Sequence, residues 1–219
     1  RYGQYVKDMA TEQGAVVAIN ASGFHDKDGH GTGGEPHGYV IKNGKLIWDE
    51  KAYGSMVGFD ENNVLVVGKM SAETVTIKNN QIMTALSKGI RDAVTFRPVL
   101  VVNGKPSSVY GNGGWGRANR TAIGQRKDGI VLMLVMDGRD YATGVPGASM
   151  SDLIDIMMRY GAYNAANLDG GTSSTLISRQ ALHAYKVRFM HPLTKKQIEI
   201  ICNPPQDMLD LIQANLQKK

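Results

Sequence analysis

Short apolar segments joined by two-residue turn signals recur along this chain, and they constrain its fold more than any other feature. Asn43-Gly44, Asn103-Gly104 and Asp128-Gly129 each separate two segments of apolar or alternating character. Such pairs adopt the positive φ angles that tight hairpin turns need, so the pattern predicts antiparallel hairpins. The predicted strand pairs are residues 39–42 with 45–48, 99–102 with 105, 121–125 with 130–136, and 55–59 with 64–67.

Helical periodicity is limited to short segments. The clearest covers residues 149–160, where Ser149 and Asp152 fit a capping box and Gly161 follows as a stop signal. Weaker helices are predicted over residues 5–13, 81–88 and 207–216. The apolar face of the helix over residues 149–160 is predicted to comprise Leu153, Ile156, Met157 and Tyr160.

Many strands beside few helices indicate an α+β protein, with a mixed, largely antiparallel curved sheet and a few packed helices. A chain of 219 residues that is 42% hydrophobic can bury a sizeable core. We therefore predict a single domain over residues 1–219. The glycine-rich stretches 28–38 and 110–117 are too polar for a core and are predicted to be loops.

Composition excludes several classes of function. The net charge is only +5 and the basic residues are spread along the chain, so we expect no nucleic-acid partner. No apolar run reaches 18 residues and no signal peptide is present, so membrane anchoring is expected only through a segment absent from this chain. The chain begins at Arg1, as a processed or trimmed chain would. No P-loop, dinucleotide fingerprint or Gly-x-Ser-x-Gly elbow occurs, so ATP, NAD and a serine nucleophile have no support.

The run from Asn167 to Ser174 is the best candidate for an active-site loop. It places Asp169, two glycines and three hydroxyl groups between the apolar residues 162–168 and the extended residues 175–177. Paired glycines let a backbone approach a ligand closely, and successive N–H groups in such a turn can bind an anion. The alternative is a tight hairpin whose Asp and Ser side chains only satisfy turn amides.

Three other segments place polar side chains at strand ends. Asn20 follows an apolar segment, and its amide could bind a hydroxyl or phosphate oxygen. Arg120 opens a strand, where a planar guanidinium suits bidentate binding of phosphate or carboxylate. Asp137 and Arg139 end the most hydrophobic strand, and alternation would place both side chains on one face. Together with Asp169, these groups suit hydrolysis of a phosphorylated or otherwise anionic sugar.

Rival sites lie in the glycine-rich loops. Residues 25–30 alternate His and Asp in a way that could hold a divalent ion, although the calcium-loop pattern is incomplete. Glu35 and His37 could each act as a general acid or base if their loop folds over the site. Trp115 could stack on a sugar ring, although an exposed or half-packed tryptophan is the default interpretation.

In order along the chain, these segments resemble the phosphodiester glycosidase family. The resemblance implies removal of a sugar such as N-acetylglucosamine from a sugar-1-phosphodiester, and an exported, extracellular or cell-surface protein whose partner is a small or polymeric glycan substrate. We expect no cofactor and no metal, although a divalent ion remains an alternative. The matching pieces are residues 18–24, 34–38, 97–104, 120–124, 137–139 and 167–171.

The residues expected to act follow from that resemblance combined with the strand-end argument. Asp169 is expected to be the nucleophile or the base, with Asp137 or Glu35 as the second carboxylate. Two alternatives stay open: a non-catalytic module that binds surface glycans or teichoic acid, and a metal-dependent phosphodiesterase using residues 26–30. The expected substrate- and phosphate-binding residues are Asn20, Arg120, Arg139, Asn167, Gly170, Gly171 and Ser173.

Overall fold

A computed structural model describes residues 2–50, 55–69, 89–109, 116–178, 186–190 and 197–201 of the chain. Within these ranges the chain forms short strands and two α-helices. The helices are α1 (Val6–Glu12) and α2 (Met150–Arg159). The strands are β1 (Val17–Ile19), β2 (Tyr39–Lys42), β3 (Lys45–Asp49), β4 (Ser55–Asp60), β5 (Leu65–Lys69), β6 (Ile90–Thr95), β7 (Val99–Val102), β8 (Lys105–Pro106), β9 (Arg120–Arg126), β10 (Val131–Met136), β11 (Ala162–Leu168), β12 (Leu176–Ser178), β13 (Lys186–Met190) and β14 (Gln197–Ile201).

The strands form two five-stranded sheets and two small two-stranded ones. The first large sheet has the order β3-β2-β6-β4-β5, and the second has the order β10-β9-β11-β7-β8. The small sheets pair β1 with β12 and β13 with β14. Every ladder between these strands is antiparallel. The antiparallel prediction is confirmed, but the one curved sheet we expected is divided into two large sheets.

All four predicted hairpins form, and two of their turns have the expected geometry. Asn43 and Gly44 have φ angles of 51° and 69°, and Asn103 and Gly104 have φ angles of 50° and 74°. Two consecutive positive φ angles are typical of the type I′ turn, whose twist matches that of the flanking strands. The turn residues therefore set the register of β2 with β3 and of β7 with β8.

Helix α2 begins and ends where its capping signals predict. The Ser149 hydroxyl accepts a hydrogen bond from the Asp152 N–H at 3.1 Å, and Asp152 Oδ2 accepts one from the Ser149 N–H at 2.8 Å. The predicted apolar face is only partly correct, because Tyr160 is 62% exposed. Tyr160 is the C-cap and lies beyond the last helical turn, so it does not continue the face. The buried face comprises Met150, Leu153, Ile154 and Met157.

The second large sheet lies between α2 and the first large sheet. Leu100 of β7 and Ala165 of β11 pack against α2, whereas Ala166 and Leu168 of β11 pack against Val57 and other apolar residues of the first sheet. Residues 165–168 of β11 are consequently buried on both faces, which explains why Ala165, Ala166 and Leu168 are apolar without alternation.

The remaining helix predictions have different outcomes. The helix predicted over residues 5–13 is confirmed as α1. The helices predicted over residues 81–88 and 207–216 lie outside the described residues, as does Trp115. Neither described helix is long and apolar enough to cross a membrane.

Candidate active site

The ends of three strands in the second large sheet meet at one edge. Strand β9 opens at Arg120, which lies opposite Met136 at the end of β10. The next residue of β9, Thr121, lies opposite Leu168 at the end of β11. Because antiparallel strands bring the start of one beside the end of its neighbour, the residues after β10 and β11 meet Arg120.

A cavity of about 400 Å³ lies at this edge, within the usual size range of small-molecule sites. It brings together seven of the residues expected from the sequence to act. The segment after β11 is not the tight hairpin that we considered, because β11 pairs with β7 and β9 whereas β12 pairs with β1. The predicted site residues that line the cavity are Arg120, Arg139, Asn167, Asp169, Gly170, Gly171 and Ser173.

Asn20 fixes the position of Asp169 rather than lining the cavity. Its side-chain Nδ2 donates to the Asp169 carbonyl at 2.9 Å. Its Oδ1 accepts from the Thr121 hydroxyl at 2.8 Å and from the Thr175 N–H at 3.0 Å. Both ends of this amide are therefore engaged by the protein, and our expectation of a direct contact with a substrate oxygen is replaced by a positioning role.

The carboxyl of Asp169 lies in a partly buried environment, and burial raises its pKa above the ordinary value for aspartate. Hydrogen bonds from the Ser173 hydroxyl and the Gly170 N–H, together with the charge of His37, act in the opposite direction, and the nearby Asp26 charge reinforces the increase. A carboxyl whose pKa is raised by burial is a recurrent feature of acid–base catalysis.

Two guanidinium groups line the same cavity. Arg120 is only 5% exposed, and its side chain donates to the carbonyls of Ala148 at 3.2 Å and Gly116 at 2.6 Å. Burial and the charge of Arg139 both lower the pKa of Arg120. Two like charges facing one cavity create a positive potential that favours an anionic ligand.

The backbone packs closely at Gly138, the residue before Arg139. A β-carbon on Gly138 would lie 2.5 Å from Gly147 Cα and 2.7 Å from the Ala118 carbonyl carbon, so only glycine fits there. Arg139 itself has a φ of 60°. This left-handed turn ends the strand alternation after Met136, and Asp137 is exposed and does not line the cavity although Arg139 does. The expectation that both side chains share one face was wrong.

Two further expectations are corrected by the geometry. Glu35 is exposed and lines a second cavity with His25 and other residues, so the structure does not bring it beside Asp169. The N–H groups of Gly170 and Gly171 donate to Asp169 Oδ1 at 3.0 Å and to the Asn119 carbonyl at 3.0 Å. These two amides are therefore occupied within the protein and do not form the expected anion-binding nest.

Asn167 forms part of the cavity floor. It is 1% exposed, and its Nδ2 donates to the Arg97 carbonyl at 2.9 Å. Its Oδ1 has no hydrogen-bond partner among the described residues. The bond to the Arg97 carbonyl gives this amide a structural role, whereas a contact with substrate stays a prediction.

Two further residues with titratable side chains line the cavity, namely Asp26 and His37. A β-carbon on Gly23 would lie 3.5 Å from His37 Cδ2 and 3.9 Å from Asp169 Oδ1, so the imidazole and the carboxylate both lie beside Gly23. Asp26 Oδ1 accepts a hydrogen bond from the Gly31 N–H at 2.7 Å. The sequence carried a signal for both, since each lies in a loop that we considered as a rival site.

Comparison with known proteins decides the family. A family model described as phosphodiester glycosidase matches residues 13–200. This chain belongs to the phosphodiester glycosidase family. The resemblance seen in the ordered segments is therefore confirmed.

Curated relatives of this family member come from a prophage and from mammals. An uncharacterized SPbeta prophage-derived protein of Bacillus subtilis is 33% identical over 77% of this chain and 25% of its own length. The N-acetylglucosamine-1-phosphodiester alpha-N-acetylglucosaminidase of Bos taurus is 24% identical over 82% of this chain and 34% of its own length. The chain thus spans about a quarter to a third of the curated relatives that it matches.

Solved structures share the fold of this phosphodiester glycosidase chain. The catalytic domain of zebrafish N-acetylglucosamine-1-phosphodiester alpha-N-acetylglucosaminidase, auto-inhibited by its pro-peptide, matches with a TM-score of 0.61 and 20% identity, covering 92% of this chain and 67% of that one. A candidate exported protein of Burkholderia pseudomallei matches with a TM-score of 0.52 and 15% identity, covering 80% of this chain and 64% of that one.

The raised pKa of Asp169 predicts that this phosphodiester glycosidase chain loses stability as pH rises. A carboxyl whose pKa is higher in the folded than in the unfolded state stabilises the fold. This contribution is fully present below the unfolded pKa of about 3.9 and is lost as the pH rises through the folded pKa. At pH 7 the variant Asp169→Asn should therefore unfold at a higher temperature than the wild type. Because the carboxyl is partly exposed and screened, we expect a gain below about 1 kcal/mol.

Thermal unfolding from pH 3 to pH 8 measures this effect. The charged groups around Asp169 in the cavity are Asp26, His37, Arg120 and Arg139, and they are unchanged in the variant. The advantage of Asp169→Asn over wild type should shrink toward zero at pH 3, and the matched variant Asp137→Asn, at an exposed aspartate, should show no gain. An Asp169→Asn protein that is less stable than wild type at pH 7 would contradict the prediction.

Proposed function

We propose that this chain hydrolyses a glycosyl phosphodiester between the anomeric carbon of the sugar and the phosphate oxygen. One observation supports this more than any other. A carboxyl with a raised pKa, Asp169, shares one cavity with Arg120 and Arg139, whose charges repel each other until an anion binds. Such a site has separate groups for the sugar carbon and for the phosphate.

The roles of these residues follow from the chemistry of the leaving group. A phosphomonoester leaves readily, so it needs charge stabilisation more than protonation, and the two guanidinium groups supply that stabilisation. Asp169 either takes a proton from the attacking water or attacks the anomeric carbon itself. Asp26, rather than Asp137 or Glu35, is the second carboxylate that lines the cavity, and it is available to assist the water.

N-acetylglucosamine is the proposed sugar, and a cell-surface glycan the proposed source of the diester. The sugar is supported by the names of the bovine and zebrafish relatives. Action outside the cell is supported by the structural likeness to a candidate exported protein. Each of these two assignments can fail without affecting the proposed reaction type.

Hydrolysis in ¹⁸O-labelled water tests the reaction directly. We expect a defined N-acetylglucosamine 1-phosphodiester to give free sugar that carries ¹⁸O at the anomeric carbon and an unlabelled phosphomonoester. The anomer first formed, observed by ¹H NMR, then distinguishes direct attack by water, which inverts the anomeric carbon, from a double displacement, which retains its configuration.

Two other results would identify the alternatives that the sequence left open. Label in the phosphate, with release of sugar 1-phosphate, would mean cleavage of the P–O bond and a phosphodiesterase. Binding of the diester without any product, across a panel of sugars and aglycones, would instead indicate a glycan-binding module. Either result would overturn the proposal.

A further inference from the structure

Three potential metal ligands meet beside the cavity, and the proposed reaction does not use them as a group. Among the described residues, His25, His37 and Glu50 each offer one ligand atom, and the three atoms lie within 4.8 Å of one another. His25 Nε2 is 2.5 Å from Glu50 Oε1, and His37 Nδ1 is 3.5 Å from Glu50 Oε2. We propose that His25, His37 and Glu50 bind a divalent transition-metal ion at the rim of the active-site cavity.

The distances fit a compact coordination sphere. Ligands that lie 2.0–2.1 Å from a tetrahedral ion are separated from one another by about 3.3 Å. His25 Nε2 and His37 Nδ1 lie 2.5 and 3.5 Å from the two different carboxylate oxygens of Glu50, and one ligand atom from each residue lies within 4.8 Å of the others, so the three side chains are close enough to share one ion. Both imidazoles are about half exposed, with 44% and 51% of their side-chain surface accessible, so small ring rotations can bring the nitrogens to an ion.

The backbone holds the three ligands in place. His25 and His37 lie on facing segments, where the His25 N–H donates to the Glu35 carbonyl and the His37 N–H donates to the Gly23 carbonyl, both at 2.9 Å. Glu50 is joined to the same segment, since its Oε2 accepts from the Gly38 N–H at 2.7 Å. Hydrogen bonds that orient metal ligands in this way raise the affinity of a site.

Glu50 is the anionic member of the group, and its side chain is 25% exposed, less than either imidazole. A structural ion pair is the alternative explanation. Exposed pairs contribute little to stability, however, and one carboxylate would not need two imidazoles that lie with ring centroids 4.2 Å apart.

The ligand set selects the class of ion. Two imidazole nitrogens and one carboxylate oxygen favour Zn²⁺, Fe²⁺, Co²⁺ or Ni²⁺ over Ca²⁺ and Mg²⁺, which prefer oxygen ligands. Three protein ligands also leave at least one coordination position open. His37 lines the cavity that contains Asp169, and His25 lines the neighbouring cavity with Glu35, so an open position is accessible from solvent.

This site differs from the ion site considered from the sequence within residues 25–30. In the structure, Asp26 Oδ1 accepts from the Gly31 N–H, and Lys27–Gly29 forms one turn of 3-10 helix. His30 does not belong to the three-residue group. Only His25 is shared with the segment first considered, because the partners of His25 come from distant parts of the chain.

Metal binding without substrate tests the proposal. Isothermal titration of the full chain with Zn²⁺ should show one ion per chain, and Co²⁺ should develop d–d absorption bands typical of nitrogen ligation. The variants His25→Gln, His37→Gln and Glu50→Gln should each weaken binding by at least about tenfold. Circular dichroism melting establishes that each variant is folded.

Two control variants distinguish binding at the proposed site from binding elsewhere and from the glycosidase reaction. His30→Gln removes an exposed histidine of the same loop and should leave Zn²⁺ affinity unchanged. Asp169→Asn should also retain Zn²⁺ binding, so the proposal can hold or fail independently of the glycosidase reaction. Absence of Zn²⁺ binding, or equal affinity in the three ligand variants and wild type, would overturn it, as would loss of binding in His30→Gln alone.

Discussion

Asp169→Asn is expected to lower the turnover of an N-acetylglucosamine 1-phosphodiester by at least about 100-fold, a scale typical of a lost acid–base group. The asparagine keeps the size of the side chain and can still accept the hydrogen bond from the Gly170 N–H. It cannot take a proton or attack the anomeric carbon. The loss should therefore appear in kcat, with the substrate KM changed much less.

Other aspartates provide the controls for this variant. Asp137→Asn should leave turnover within about twofold of wild type, because Asp137 is exposed and does not line the cavity. Asp26→Asn should give an intermediate loss, since Asp26 lines the cavity and raises the pKa of Asp169. If Asp137→Asn lost as much activity as Asp169→Asn, the sequence-based pairing of these two carboxylates would be restored and the present assignment rejected.

The hairpins could be predicted from sequence because their determinants are local. Asn43-Gly44 and Asn103-Gly104 impose positive φ angles on adjacent residues, whatever the strands pack against. The capping box of α2 is equally local, since Ser149 and Asp152 are three residues apart. The division of the strands into two sheets depends instead on contacts between distant segments, which no local pattern specifies.

The strand ends that form the site were also predictable, but the direction of their side chains was not. Asp169 directly follows β11, whose last four residues are buried, so the apolar run before it was enough to place it at a strand end. Asp137 and Arg139 are different, because Arg139 has a φ of 60° and Gly138 fits closely against the backbone near Ala118. That contact is made across the fold, so strand alternation extrapolated past Met136 gave the wrong face for Asp137.

Asn20 illustrates how a correct location can suggest the wrong role. The residue is at a strand end beside the site, as expected, yet its Nδ2 donates to Asp169 and its Oδ1 accepts from Thr121 and Thr175. A free amide and a structural amide give the same sequence signal. In contrast, Asp26 and His37 were recognised as chemically capable, but only the folded loop shows that they face Asp169.

Arg120→Lys is expected to lower kcat/KM for the phosphodiester by at least about 100-fold, the usual effect of removing one donor that stabilises developing negative charge. Lysine keeps the charge but lacks the planar fork, which here donates to the Ala148 and Gly116 carbonyls from a buried position. Arg139→Lys should cost less, about tenfold, because Arg139 is exposed and its charge is screened by solvent.

Three controls distinguish a loss of phosphate binding from a loss of structure in these variants: the salt concentration, the charge of the substrate and a substitution at a third arginine. The Arg139→Lys effect should shrink between 0.05 and about 0.5 M salt, whereas the Arg120→Lys effect should persist, since buried charges are screened much less. Arg126→Lys is the matched control, because Arg126 ends the same strand β9 and pairs with Asp128 at 2.6 Å outside the cavity. An aryl N-acetylglucosaminide without phosphate should be affected far less by Arg120→Lys than the diester. Equal losses on both substrates would show that Arg120 supports the cavity structurally and does not bind the phosphate.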